Sequence, residues 1–192
     1  NSGTIKNLTA EGWYTGNENV GVLAGYNSGT IDNCNSYIED AENKIYGTAK
    51  VGGLVGYNDC GKILNSHSSA EAVASGADAG GLVGYSRNGY IKYCYATGDA
   101  TGKKTGGLVG VVYNNDRNST STVSNCYATG RIYGSANAGG LIGSAEIYDS
   151  RGKIYVEYSY SRGKIETNSS SGGLVGGWNN RDLSRIRCCY YN

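Results

Sequence analysis

The chain has 192 residues, a formal net charge of +1, and 39% hydrophobic against 17% charged residues, enough apolar material for a continuous core. Its Lys and Arg are scattered singly, which excludes the basic stripe a nucleic-acid partner requires, and no run approaches the roughly 18 to 20 apolar residues of a membrane-spanning helix. The skew lies in 32 Gly, 18 Tyr and no Pro, Met or Phe, which points to repetition; a start at Asn1 without any Met or signal peptide points to a processed piece of a longer exported precursor.

In chain order, two units alternate. One begins at Gly3-Thr4-Ile5-Lys6-Asn7-Leu8 and returns as Gly29-Thr30-Ile31-Asp32-Asn33-Cys34, Gly61-Lys62-Ile63-Leu64-Asn65-Ser66, Gly89-Tyr90-Ile91-Lys92-Tyr93-Cys94 and Ser121-Thr122-Val123-Ser124-Asn125-Cys126. Weaker copies follow at Tyr155-Val156-Glu157-Tyr158-Ser159 and at Ser184-Arg185-Ile186-Arg187-Cys188-Cys189. The other unit is Gly-Leu-Val-Gly, centred on Leu23, Leu54, Leu82, Leu108, Leu141 and Leu174, which lie 31, 28, 26, 33 and 33 residues apart. A period near 30 without sustained helical spacing predicts an all-β fold: a right-handed parallel β-helix, or β-solenoid, of about six rungs with roughly 30 residues per rung, forming a single domain over 1–192.

Strict strand alternation cannot place the Ile and the residue three later on one face, so a corner belongs between them, with Asn7, Asn33, Asn65 and Asn125 taking a left-handed conformation there. Their amides are expected to stack as a ladder from rung to rung. After the corner, Cys94-Tyr95-Ala96-Thr97-Gly98 and Cys126-Tyr127-Ala128-Thr129-Gly130 place Cys and Ala inward and Tyr outward, and Ser159 and Cys189 continue the inner file. Cys34, Cys94, Cys126 and Cys189 are then packed thiols acting as small hydrophobes. Cys60 and Cys188 fall outside that file and are the candidates for a disulfide, within the chain or between subunits.

The Gly-Leu-Val-Gly units, six copies in register with the Ile-x-Asn-Cys unit, resemble the GLUG-repeat family of bacterial surface adhesins and of the non-catalytic region of IgA-cleaving metallopeptidases. The resemblance covers nearly the whole chain. It implies an extracellular β-helical stalk or adhesive module and supplies no catalytic residue; Val22 and Ala24 around Leu23 depart from the pattern, as suits a terminal rung.

The chemistry-bearing residues give no enzyme. Gly52-Gly53-Leu54-Val55-Gly56 lacks the helix a dinucleotide loop needs, and Gly98-Asp99-Ala100-Thr101-Gly102-Lys103-Lys104 is one residue short of a phosphate loop and reads as a turn. His67, the only histidine, excludes a His-Glu-x-x-His zinc site and sits at an outward tyrosine position, so no metal or cofactor is expected. A polysaccharide hydrolase or lyase, working through carboxylates such as Asp116 or the Glu39-Asp40 pair, is the third reading.

Two outward stripes are the candidate ligand or partner surface: Tyr95, Tyr127, Tyr160 and Tyr190 after the corner, and Tyr26, Tyr57 and Tyr85 after the Gly-Leu-Val-Gly units. Asn7, Asn118 and Asn168 head glycosylation triplets. Both rod ends read as uncapped, so the expected role is an extracellular or cell-surface structural protein that stacks head-to-tail on itself or on flanking repeats. The alternative is an excised glycan- or protein-binding module of a large adhesin, its partner a glycan or a host-cell protein.

Overall fold

The computed structural model describes residues 1–39, 44–148, 152–179 and 185–192. Among these residues every regular element is a strand, and the strands pair in parallel with the equivalent strand one repeat away. They build four faces. Face 1 has seven strands, from Thr4–Lys6 to Arg185–Arg187; face 2 has seven, from Thr9–Glu11 to Tyr190–Tyr191. Face 3 runs from Glu18–Gly21 to Ser170–Gly172, and face 4 has six strands from Ala24–Asn27 to Val175–Asn179. One pass through the faces is a rung, so face 4 counts six complete rungs while faces 1 and 2 begin a seventh. At about 4.8 Å per rung the stack rises roughly 30 Å.

Face 1 is fixed by its central apolar column. Ile5, Ile31, Ile63, Ile91, Val123, Val156 and Ile186 are in register, and those from Ile31 to Val156 are sealed from solvent. Each such side chain contributes about 1.5 to 3 kcal/mol of burial. Two residues later the chain turns through the left-handed region at Asn7, Asn33, Asn65 and Asn125, with φ between 48° and 55°. Tyr93, Tyr158 and Cys188 take the same conformation, at φ 57°, 50° and 51°. The reason lies in the backbone: Asn7, Asn33, Asn65, Tyr93, Asn125 and Tyr158 each donate their N–H to a carbonyl of the following rung at 2.9 to 3.1 Å. After glycine, Asn tolerates this geometry best, and the bond to the next rung accompanies it at Tyr93 and Tyr158 as well.

The expected continuous amide ladder at this corner is therefore corrected. Asn33 donates to Asn7 at 2.8 Å, but Asn65 donates to Asp32 at 2.9 Å and Asn125 to its neighbour Ser124 at 3.5 Å. A buried ladder exists instead at the end of face 4, where Asn1 donates to Asn27 at 2.8 Å, Asn27 to Asn58 at 2.7 Å and Asn58 to Ser86 at 3.3 Å. There Asn27 and Asn58 are fully enclosed, so each amide must be satisfied by the next rung.

The inner file after the corner runs Cys34, Ser66, Cys94, Cys126, Ser159, Cys189. Every member donates to the carbonyl two residues before it, the thiols at 3.1 to 3.4 Å and Ser66 and Ser159 at 2.6 and 2.7 Å. Cys and Ser interchange because the site asks for a small side chain with one donor. All six cysteines are free. Cys60 lies on the corner before face 1 and Cys188 on the corner after it, four rungs further along, so the bridge within the chain is excluded by the roughly 7 Å reach of a disulfide.

Gly-Leu-Val-Gly makes the sharp fold between faces 3 and 4. Its leucine carbonyl accepts two N–H groups from the preceding rung: Leu54 N–H and Val55 N–H reach Leu82 O at 2.9 and 3.0 Å, and Leu82 and Val83 reach Leu108 O at the same distances. The leucines point into the main core. A Cβ on Gly107 would lie 2.8 Å from the Ala128 Cβ and inside contact distance of the Gly140 carbonyl, so face 2 and the next rung both demand glycine there. Gly98 to Lys104, read as a turn, instead leads into the seven-residue strand Ala100–Gly106, which carries a register shift between Gly102 and Lys104.

Candidate functional site

Face 2 presents one outward side chain per rung. His67, Tyr95, Tyr127, Tyr160 and Tyr190 are in register, and their rings stack at centroid distances of 4.4, 4.7, 5.1 and 5.0 Å with interplanar angles of 2° to 8°. The expected tyrosine column is thus present, extended by His67. Burial holds the His67 pKa below its ordinary value, so this ring joins the column as neutral imidazole near pH 7. Because each inner ring covers its neighbour's face, the column offers ring edges and hydroxyls to solvent, not flat faces on which a sugar could stack.

The second stripe is organised differently. Tyr26, Tyr57 and Tyr85 are in register, but successive rings meet edge to face, at 5.3 Å and 86° and at 5.5 Å and 84°. They line a crease where faces 3 and 4 fold together so closely that a Cβ on Gly25 would clash with the Asn19 carbonyl and one on Gly84 with the backbone at Lys50 and Val51. Lys50 reaches across it, its Nζ 5.1 Å from the Tyr57 ring centroid and 5.9 Å from that of Tyr85. Burial raises the Tyr85 pKa far above its ordinary value.

Charges fill the crease in an order set by register. Asp78 pairs with Lys104 in the next rung, and Ala79 with Val51 in the previous one, so Asp78 stands between Lys50 and Lys104 along face 3. Lys104 binds Glu146 across the crease at 2.6 Å, and Ser144 donates to the same carboxylate oxygen at 2.8 Å. Burial lifts the Asp78 carboxyl from 3.8 to about 6, against the pull of Lys104. At the mouth, Asp59 takes two bonds from Arg87, both at 2.6 Å, and one from Tyr26 at 2.7 Å. Burial pushes the Asp59 carboxyl up, but these donors outweigh it and hold it below its ordinary value.

Among the described residues no group of three or more His, Cys, Asp or Glu could hold a metal ion. Asp116 caps a surface turn, accepting from the Asn118 N–H at 2.9 Å, and Asp40 lies outside the described residues. Asn7, Asn118 and Asn168 are all exposed; Asn7 is engaged by Asn33 at the face 1 corner. Cys60 is exposed and donates to Asp59 at 3.7 Å, and burial raises its thiol pKa. Sequence reasoning missed the crease charges, although Lys50, Asp78 and Lys104 each lie four residues before a repeat leucine, at Leu54, Leu82 and Leu108.

The GLUG motif family matches at residues 75–101 and 103–133, two successive rungs through the crease and its glycine corner. The chain carries GLUG repeats. The fold is similar to the crystal structure of a candidate immunoglobulin A1 protease from Bacteroides ovatus, with a TM-score of 0.54 and 20% identity over 97% of this chain and 57% of that one. At that identity the likeness is one of fold, and this chain spans little more than half of the other's length. No curated protein matches the chain. The matched segments contain the glycine corners at Gly81–Gly84 and Gly107–Gly110 together with Tyr85, Tyr95 and Tyr127 of the two ring stripes.

Proposed function

We propose that this chain is a non-catalytic structural module of an extracellular or cell-surface protein, a stalk segment that stacks head-to-tail on a second copy or on flanking repeats and uses the face 2 ring column as its lateral contact surface. The observation that supports the reading is the register of faces 1 and 2: their strands in the first rung and in the seventh occupy equivalent positions, so on these two faces one copy can continue the pairing of another. Leu8, Ile186 and Tyr190 at the two outermost rungs are 45%, 46% and 57% exposed, apolar surface of the kind such a contact would cover. A contact of this sort is heterologous and propagates. The ring edges and hydroxyls along face 2 suit a protein partner, since aromatic residues with a polar tip recur at interfaces.

Light scattering over a concentration series tests the stacking. Mass rising with concentration, and falling back in Ile186→Asp, is the expected result. A constant 20.1 kDa particle at every concentration would remove self-stacking.

A further inference from the structure

A groove of about 830 Å³ runs along the outside of face 3 over four rungs. Its floor is the column Ala74, Gly102, Gly134, Thr167, which faces inward: Ala74 is buried, and a Cβ on Gly134 would lie 2.7 Å from the buried Ala138 Cβ. In-register Thr101, Tyr133 and Glu166 form one wall, and Ser75, Lys103 and Ser135 lie on the other side of that column.

We infer that this groove binds an uncharged, extended oligosaccharide of about three or four sugar units lying along the solenoid axis. Four rungs at about 4.8 Å span roughly 14 Å, and a sugar in an extended chain advances about as far as one rung, so unit and rung stay in step. The lining is hydroxyl-rich, with one cation, Lys103, and one anion, Glu166, which argues against a polyanion. Tyr133 is half-buried, lines the groove and shares no ring contact with another aromatic among the described residues, so it is not engaged in a stacked column as the face 2 rings are. A peptide strand is disfavoured because the N–H and C=O groups of these strands point along the axis and are already paired with the rungs above and below, leaving no sheet edge in the groove. The volume falls in the usual range for ligand sites. The groove and the face 2 column are separate surfaces, so neither reading depends on the other.

The test is calorimetric titration of the chain with neutral cello-, manno-, xylo- and chito-oligosaccharides of two to six units. Affinity that climbs with length to about four units is expected, with Tyr133→Ala and Ser135→Trp each weakening it at least tenfold. Both variants should keep the wild-type thermal melt, since Ser135 is exposed and Tyr133 lies outside both apolar cores. Tyr127→Ala on face 2 should leave binding unchanged. The proposal is overturned if no neutral member of the panel binds at millimolar concentration, if an acidic oligosaccharide binds better, or if both groove variants bind as well as wild type.

Discussion

Replacing Asp78 with Asn keeps the shape of the side chain and removes its charge from the crease between Lys50 and Lys104. Burial raises the Asp78 carboxyl from 3.8 to about 6, and that gap of about 2.2 units corresponds to about 3 kcal/mol at 1.36 kcal/mol per unit. Asp78 keeps part of its contact with water, so screening reduces the expected effect to about 1 to 2 kcal/mol. Between pH 3.8 and about 6 the folded chain holds this proton while the unfolded chain releases it. The stabilisation from the protonated acid is therefore complete below 3.8 and lost as pH rises through about 6. At neutral pH the ionised carboxylate weakens the fold, and Asp78→Asn should raise the urea unfolding midpoint; near pH 4 the two proteins should unfold together. A variant less stable than wild type at neutral pH would refute the reasoning, because it would mean that the two lysines attract the carboxylate more strongly than burial penalises it.

Three further outcomes follow from the packing. Gly107→Ala should destabilise by several kcal/mol or prevent folding, because its Cβ would meet the Gly140 carbonyl and the Ala128 side chain; a thermal melt within a degree or two of wild type would show that the corner can yield. Thiol titration without denaturant should modify Cys60 and Cys188 first and Cys189 more slowly, while Cys34, Cys94 and Cys126 stay protected until the chain unfolds; burial, which also raises the Cys126 and Cys189 pKa values, is the cause. Tyr127→Ala removes two stacked pairs, with Tyr95 and Tyr160, and should lower stability by about 0.4 to 2 kcal/mol, measured by urea unfolding.

Much of the scaffold is legible because it is periodic. The Ile column and the corner two residues later announce themselves in consecutive copies, and Asn7, Asn33, Asn65 and Asn125 are residues that accept a left-handed backbone. Tyr93 and Tyr158 occupy the same conformation without any such signal, each donating its N–H to a carbonyl of the next rung as the asparagines do. Asn27 and Asn58 look like loop residues, yet they form the buried ladder; their recurrence directly after Tyr26 and Tyr57 was the available sign. The crease is hidden for a different reason. Lys50, Asp78 and Lys104 each precede a repeat leucine by four residues, at Leu54, Leu82 and Leu108, so their file is written in the sequence; what the spacing does not say is that faces 3 and 4 fold together over it. The groove is hidden because Gly102 and Gly134 mark a bend within a strand as readily as a turn between strands. For the face 2 stripe, spacing places the tyrosines in one file but leaves their ring planes open; the stacking decides that edges, not faces, are offered.

The most direct measurement of the central claim, a structural module that extends by rung stacking, is negative-stain electron microscopy of the purified chain at concentrations where light scattering reports mass above 20.1 kDa. Thin unbranched rods, lengthening in steps of roughly 30 Å per copy at about 4.8 Å per rung, are the predicted result. Compact or irregular particles, or rods that persist unchanged in Ile186→Asp, would contradict it.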